Sequence, residues 1–332
     1  YTLNMGFVGA TILPHGAMIF DGDPNSDSSA CRERNSTMPP DLIKDCSALY
    51  SSCERAADFV AEMSPEVVLL VTPHGISLSS GALGVYITNA ACGNALWNDT
   101  WQDIEVSVPL DAQLSDQLLD FVQKQGLKAD GIVTFSMMEA PLRWGEVVPL
   151  WFVKRKVDLD KVKYMVLSVG RQREGFEVIG KTLHDFASTL HQRVVVVISG
   201  DLAHTHKMAY DIPLYLPDYR SDLKPTDIAE EFDRMWEMWA RGIPYHEKME
   251  SGNLDEVHPW VATHSRPWLE RILKDDPIAR SCGRRSIPIL HSILEKEIEA
   301  GGRVTSHFLT RRAPTYYGMM SVVFNITRSS SA

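Results

Sequence analysis

Apolar positions along the chain fall into short unbroken runs separated by stretches of helical spacing. Residues 6–13 (GFVGATIL), 66–72 (EVVLLVT) and 194–199 (VVVVIS) each read as a strand with apolar residues at nearly every position. A strand covered on both faces needs that pattern, whereas one with a wet face alternates. Further strands read in LGVYITNA, IEVSVPL, GIVTF (131–135), VVPLWFV (147–153) and KYMVLSVG (163–170), and near 303–309 and 318–325. Helical spacing runs from Pro40 to about Met63, with Pro39-Pro40-Asp41 as its start, and recurs in LSDQLLDFVQKQG and over 175–192, 226–241 and 284–299. Residues 22–40, rich in Asp, Asn, Ser and Pro, read as a loop. Strands alternating with helices predict the α/β class, with a mostly parallel central sheet and helices on both faces. No linker divides the chain, so residues 1–332 read as a single domain, with 210–265 a candidate insertion near the site.

Composition narrows this picture in a few respects. With 332 residues, 44% of them hydrophobic and 23% charged, the chain has a globular make-up and enough length for one large core. A formal net charge of -10 argues against a nucleic-acid or anionic-membrane surface. No apolar run approaches the ~20 residues of a membrane span, and the N-terminal residues show no basic stretch of the signal-peptide kind. Five cysteines, with no CxxC pair, outline no disulfide framework, so a reducing, cytoplasmic setting is expected.

Candidate chemistry gathers where strands end. One strand delivers Pro14-His15-Gly16, a second Pro73-His74-Gly75, and a third Ser199-Gly200-Asp201 followed by His204. Functional groups in open α/β sheets collect at the carboxyl ends of strands. Imidazole is the commonest transition-metal ligand, and a neighbouring Gly permits close approach. Two such histidines and one further ligand are the least that a metal site with open positions requires. A lone loop histidine is more often structural; the repeated Pro-His-Gly setting is what singles out His15 and His74. Asp201 has two readings, a cap for the next turn or a carboxylate that holds a histidine ring in one tautomer. His206 either lines the mouth of a pocket or faces solvent, solvent being the simpler reading. The 13 methionines form no MxxM cluster and read as core filling. A P-loop, a three-glycine dinucleotide fingerprint and a GxSxG elbow are all missing, which leaves nucleotide binding and serine hydrolysis without support.

In this order, LPHG, LLVTPHG, EVVPLWFV and ISGDLAHTH resemble segments of the LigB-like class III extradiol ring-cleaving dioxygenase superfamily, and CGRRSIPIL (282–290) resembles its MEMO branch. The matches run from about residue 6 to 324. The resemblance implies a LigB-like fold and a non-haem Fe(II) enzyme that opens a catechol-type ring with O₂. It implies metal ligation by His15 and His74, and an acid/base role for His204 beside the substrate. The third ligand, a Glu in the dioxygenases, aligns with Cys282, as in the MEMO branch. Many members carry a DHG-type segment that supplies another histidine. Here LRWGEVVPL has Trp144 in that place, and an indole can pack or donate one hydrogen bond but cannot shuttle protons. Cys282 also has a plain reading as a small buried residue ahead of a helix whose Ile287, Leu290 and Ile293 look inward.

The expected function is therefore that of a metal-dependent extradiol dioxygenase acting on a small aromatic substrate and O₂. Fe(II) is the expected cofactor, with zinc or no metal as alternatives. Two other functions stay open. A MEMO-like, non-enzymatic binding or scaffold protein is favoured by Trp144 and Cys282. A zinc-dependent hydrolase on the same histidines is consistent with a thiolate, which prefers zinc to labile iron. No nucleic-acid or membrane partner is expected, and a homo-oligomer is left open. Arg143, Arg284 and Arg285 are local cations for a carboxylated ring. If the three His-bearing strands share one parallel sheet, His15, His74 and His204 face one cavity.

Overall fold

The computed structural model describes residues 6–328 apart from 27, 171, 173, 209–223 and 246–255. In chain order the elements are β1 (Gly6–Leu13), α1 (Ser29–Thr37), α2 (Pro40–Glu62), β2 (Val67–Thr72), β3 (Leu83–Tyr86), β4 (Ala90–Asn94), β5 (Glu105–Pro109), α3 (Ala112–Lys124), β6 (Ala129–Ile132), β7 (Ala140–Leu142) and α4 (Trp144–Lys154). They continue with β8 (Lys163–Ser168), α5 (Phe176–Ser188), β9 (Arg193–Ser199), α6 (Ala229–Arg241), β10 (Val257–Pro259), α7 (Ala262–Ala279), α8 (Ile287–Glu299), β11 (Arg303–Arg312) and β12 (Met319–Thr327).

Nine strands form the main sheet in the order β10-β11-β12-β1-β9-β2-β8-β3-β6. Its centre, β1-β9-β2-β8, is parallel. The β10–β12 side is antiparallel, and β3 runs against β8. The α/β expectation holds, but the sheet is mixed rather than mostly parallel. The β11–β12 hairpin needs no crossover helix to add itself beside β1, so this side of the sheet lies outside the strand–helix alternation. The end of LGVYITNA and the IEVSVPL stretch also leave the main sheet; β4, β5 and β7 make a separate three-stranded one.

Alternate residues of each central strand go to opposite faces. Leu69, Val71, Val196 and Ile198 pack with α3, α5, α6 and α8 side chains in one core, while Val68, Leu70, Val195 and Val197 pack with α2, α4 and the small sheet in the other. Each fully buried Val or Leu contributes roughly 1.5–3 kcal/mol, so both faces select apolar residues and the strands read as continuous runs.

Residues 147–153 are the clearest departure from the sequence reading: they lie in α4, not in a strand. This helix is buried nearly all round, so its apolar run has no helical stripe and cannot be told from a strand by periodicity. The 22–40 stretch contains α1, in which only Cys31 and Arg34 are buried, too few to mark a period. α7 was also illegible, being interrupted by Pro267 and Pro277. Of the candidate insertion at 210–265, residues 209–223 and 246–255 lie outside the described residues, while α6 sends Phe232, Trp236 and Trp239 into a core. Among the described residues no helix is long and apolar enough to cross a membrane.

Candidate active site

Strand β9 lies between β1 and β2 and runs parallel to both, so three carboxyl ends stand side by side. His15 follows β1, His74 follows β2, and Asp201 and His204 follow β9. The His15 and His74 rings meet edge to face with centroids 4.7 Å apart. One donor atom each from His15, His74 and Cys282 lie within 4.8 Å of one another, and the same holds for Asp201, His204 and Cys282.

Cys282 reaches this place from the segment before α8. Gly200 and Gly283 let the two backbones touch: a Cβ on Gly200 would lie 2.9 Å from Gly283 Cα, and one on Gly283 would lie 2.8 Å from the Asp201 carbonyl oxygen. The Gly283 N–H donates to that oxygen at 2.9 Å, and the Asp201 N–H donates to Cys282 Sγ at 3.2 Å. Cys282 Sγ then stands 3.2 Å from His15 Nε2.

Ser199 sets the tautomer of His15. Its hydroxyl donates to the Gly145 carbonyl, so its oxygen accepts the His15 Nδ1–H at 2.8 Å. That leaves a lone pair on Nε2, 3.3 Å from Asp201 Oδ2. Burial, with the nearby His74 and His204, holds His15 well below the ordinary imidazole range, so the ring is neutral. Asp201 Oδ1 accepts the His15 backbone N–H at 3.0 Å, so this carboxylate grips His15. A bare imidazole nitrogen, a carboxylate oxygen and a sulfur in mutual contact form an electron-rich cluster. Its donor chemistry fits a divalent transition metal ion.

His74 is held from another side. Thr72 Oγ1 accepts the His74 N–H at 3.1 Å and donates to Glu146 Oε1 at 2.9 Å. Glu146 Oε2 accepts the Arg143 N–H at 2.9 Å, closing the first turn of α4. A Cβ on Gly145 would lie 2.6 Å from His74 Cβ, so this helix start fits only without a side chain there. Trp144, the first residue of α4, packs against His74 at 5.5 Å and against Trp97 of the β4–β5 hairpin at 4.7 Å between ring centroids.

His204 hangs from the Ala279 carbonyl through its N–H at 2.8 Å, with the Tyr316 and Tyr317 rings 6.2 and 6.0 Å away. Residues 202–206 run along 316–318, linked by Leu202 N–H to Gly318 O at 2.7 Å, Gly318 N–H to Ala203 O at 2.8 Å and His206 N–H to Tyr316 O at 2.9 Å. His15, His74, Trp97, Trp144, Asp201, His204 and the two tyrosines line one small pocket of about 40 Å³. Cys282 is not in that lining but touches His15 and Asp201, which are.

His206 corrects a sequence expectation. It neither faces solvent nor lines this pocket; it is buried, with Nε2 2.7 Å from Asp233 Oδ2. The other Asp233 oxygen accepts the Ala203 N–H at 2.8 Å. A buried carboxylate needs such donors, and nothing in HTH spacing points to a partner 27 residues on. Ser199, Trp97, Glu146, Tyr316 and Tyr317 were not anticipated. Of these, Glu146, three residues after Arg143, and the Tyr316-Tyr317 pair, a tandem aromatic in a turn between two strands, carry a sequence signal.

Fold and site together define an α/β protein with metal-donor side chains clustered at the ends of parallel strands. Residues 9–260 match the family described as the catalytic LigB subunit of aromatic ring-opening dioxygenase, and the chain belongs to that family. A 2-aminophenol 1,6-dioxygenase beta subunit from a Pseudomonas species is 25% identical over 199 residues, and the match spans 57% of this chain and 63% of that relative's length. The crystal structure of an uncharacterized protein from Escherichia coli K12 shares the fold, with a TM-score of 0.50 over 95% of this chain and 99% of that one at 14% identity.

Proposed function

We propose that the protein is a single-domain, metal-dependent extradiol dioxygenase that opens a catechol-type ring with O₂. The observation that carries this reading is the bare Nε2 of His15, turned by Ser199 toward Cys282 and Asp201. His15, His74 and Cys282 would hold the metal, Fe(II) in the first instance. Iron(II) held there supplies the redox chemistry that couples O₂ to an electron-rich ring. The chain's own residues do the rest. His204 takes a phenolic proton from the ring hydroxyl and later returns one. Asp201 fixes the orientation of His15. Trp97 and Trp144 keep water from the ring's face. The family membership and the relative's name support the ring-opening assignment.

A second reading rests on Cys282. A thiolate is softer than the carboxylate it replaces and favours zinc, which suits a hydrolase or a MEMO-like binding protein better than an oxygenase. Metal analysis of protein purified without air, followed by catechol cleavage in air, separates the readings. Stoichiometric iron with cleavage supports the dioxygenase; zinc with no cleavage overturns it. Cys282→Glu restores a carboxylate and is expected to raise the iron-to-zinc ratio. Unchanged metal content in both Cys282→Glu and Cys282→Ser would remove Cys282 from the ligand set and leave Asp201 as the carboxylate at hand.

A further inference from the structure

The pocket above the donor cluster is built to discriminate among aromatic rings. Beyond the histidines its walls are aromatic: Trp97 and Trp144 in contact at 4.7 Å, Tyr316 and Tyr317 at 5.0 Å between ring centroids. Both tryptophans are half-buried, so part of each indole remains open to a ligand. The pocket is small, about 40 Å³, well under the roughly 300–1,000 Å³ of sites for drug-sized ligands, so it has no room for more than a single ring.

Its charges are one-sided. Asp201, a buried carboxylate, is in the lining, and among the described residues no Lys or Arg is. Three arginines lie close in sequence to the site, and none of them is in the lining. Arg143 is exposed ahead of α4, Arg284 pairs with Asp276 at 2.9 Å, and Arg285 donates to the Gly170 carbonyl at 2.6 Å. A ligand carboxylate on the ring's far side, away from the metal ligands, would lose water, meet no compensating Lys or Arg among the described lining residues and share the pocket with the Asp201 carboxylate. A neutral ring meets only favourable faces, and an ammonium substituent would find indole and phenol π-clouds besides.

We infer that the substrates are single-ring ortho-dihydroxy aromatics carrying no anionic substituent, selected by the Trp97–Trp144 and Tyr316–Tyr317 walls and by the lack of a Lys or Arg among the described lining residues. This rests on the ring-cleaving reading and deepens it. The two probes that test it differ at one position: 4-methylcatechol and 3,4-dihydroxybenzoate. Binding is read without turnover, under nitrogen, by calorimetry and by quenching of tryptophan fluorescence in the protein as purified. The methyl probe is expected to bind at least about tenfold more tightly than the carboxylate. Trp97→Phe is expected to reduce the quenching, and Trp97→Arg, which places a cation in the wall, to shrink the preference severalfold or reverse it. Equal or tighter binding of the carboxylate by the wild type overturns the inference, as does failure of the methyl probe to bind. The two levels remain separable. If the methyl preference holds but the ring never opens in air with added iron, the dioxygenase reading falls and the selectivity stands. If the ring opens and the carboxylated probe is preferred, the reverse is true.

Discussion

Ser199 Oγ lies 2.8 Å from His15 Nδ1 and donates its own proton to the Gly145 carbonyl. One hydroxyl thereby ties the end of β9 to the end of β1 and to the start of α4, and decides which imidazole nitrogen is bare. Ser199→Ala removes that decision. Metal affinity is expected to fall ~10–100-fold, the range found when a hydrogen-bond partner behind a ligand histidine is lost. A competition titration against a chelator measures it; an unchanged affinity would mean that the tautomer is set elsewhere.

His204 divides the first-contact roles. His204→Ala is expected to keep its metal and to lose ~10²–10⁴-fold in ring-opening rate, as for a positioned acid/base. His15→Ala and His74→Ala are expected to lose both. The assignment inverts if His204→Ala strips the metal while His74→Ala keeps it, which elemental analysis of the three variants decides.

Glu146 makes stability depend on pH. Burial raises its carboxyl from an ordinary 4.5 to about 7, against the opposing hydrogen bonds from the Arg143 N–H and Thr72. Because the folded-state value is the higher one, the folded chain holds a proton that the unfolded chain has released. The stabilising effect is complete below about 4.5 and is lost as pH rises to about 7. The slope reaches about 1.4 kcal/mol per pH unit, and the whole effect is on the order of 3 kcal/mol. Urea denaturation at pH 5 and pH 8 should show this fall for the wild type and a flatter profile for Glu146→Gln. Parallel profiles would remove Glu146 as the cause.

Gly318 is where the tyrosine strap meets the His206–Asp233 strut. An added Cβ would collide with the Asp233 carboxylate. Gly318→Ala must therefore displace Asp233 from His206 or push the strap outward. A stability loss of ~1–3 kcal/mol is expected, together with weaker binding of ring probes because Tyr316 and Tyr317 precede it directly. Wild-type stability in a denaturant titration would show that the strap shifts at no cost.

How much of this was readable from the residues depends on what each element buries. β1, β2 and β9 are covered on both faces, so their runs announced themselves, and Pro-His-Gly after two of them marked the site. α4 used the same apolar vocabulary in a different backbone, and only Glu146, three residues after Arg143, hinted at a helix start. His206 and Asp233, or Cys282 and His15, meet through tertiary packing that leaves no local spacing to read. Trp97 sits in a tight turn between two strands of a sheet that the alternation of elements did not foreshadow, and it meets Trp144 at the start of α4.

β1 is flanked by β9 and β12, whose residues pair with it from Arg193 onward and from Val322 to Asn325. Neither neighbour is close along the chain, so the strand that carries His15 has no local partner with which to nucleate. During synthesis its apolar face must wait, unpaired, until segments nearly two hundred and then more than three hundred residues later have emerged. Such long-range closure slows folding and exposes strand edges in the meantime. The donor cluster is accordingly one of the last things to form, and a chain stalled before residue 282 holds His15, His74 and His204 without the sulfur that meets them.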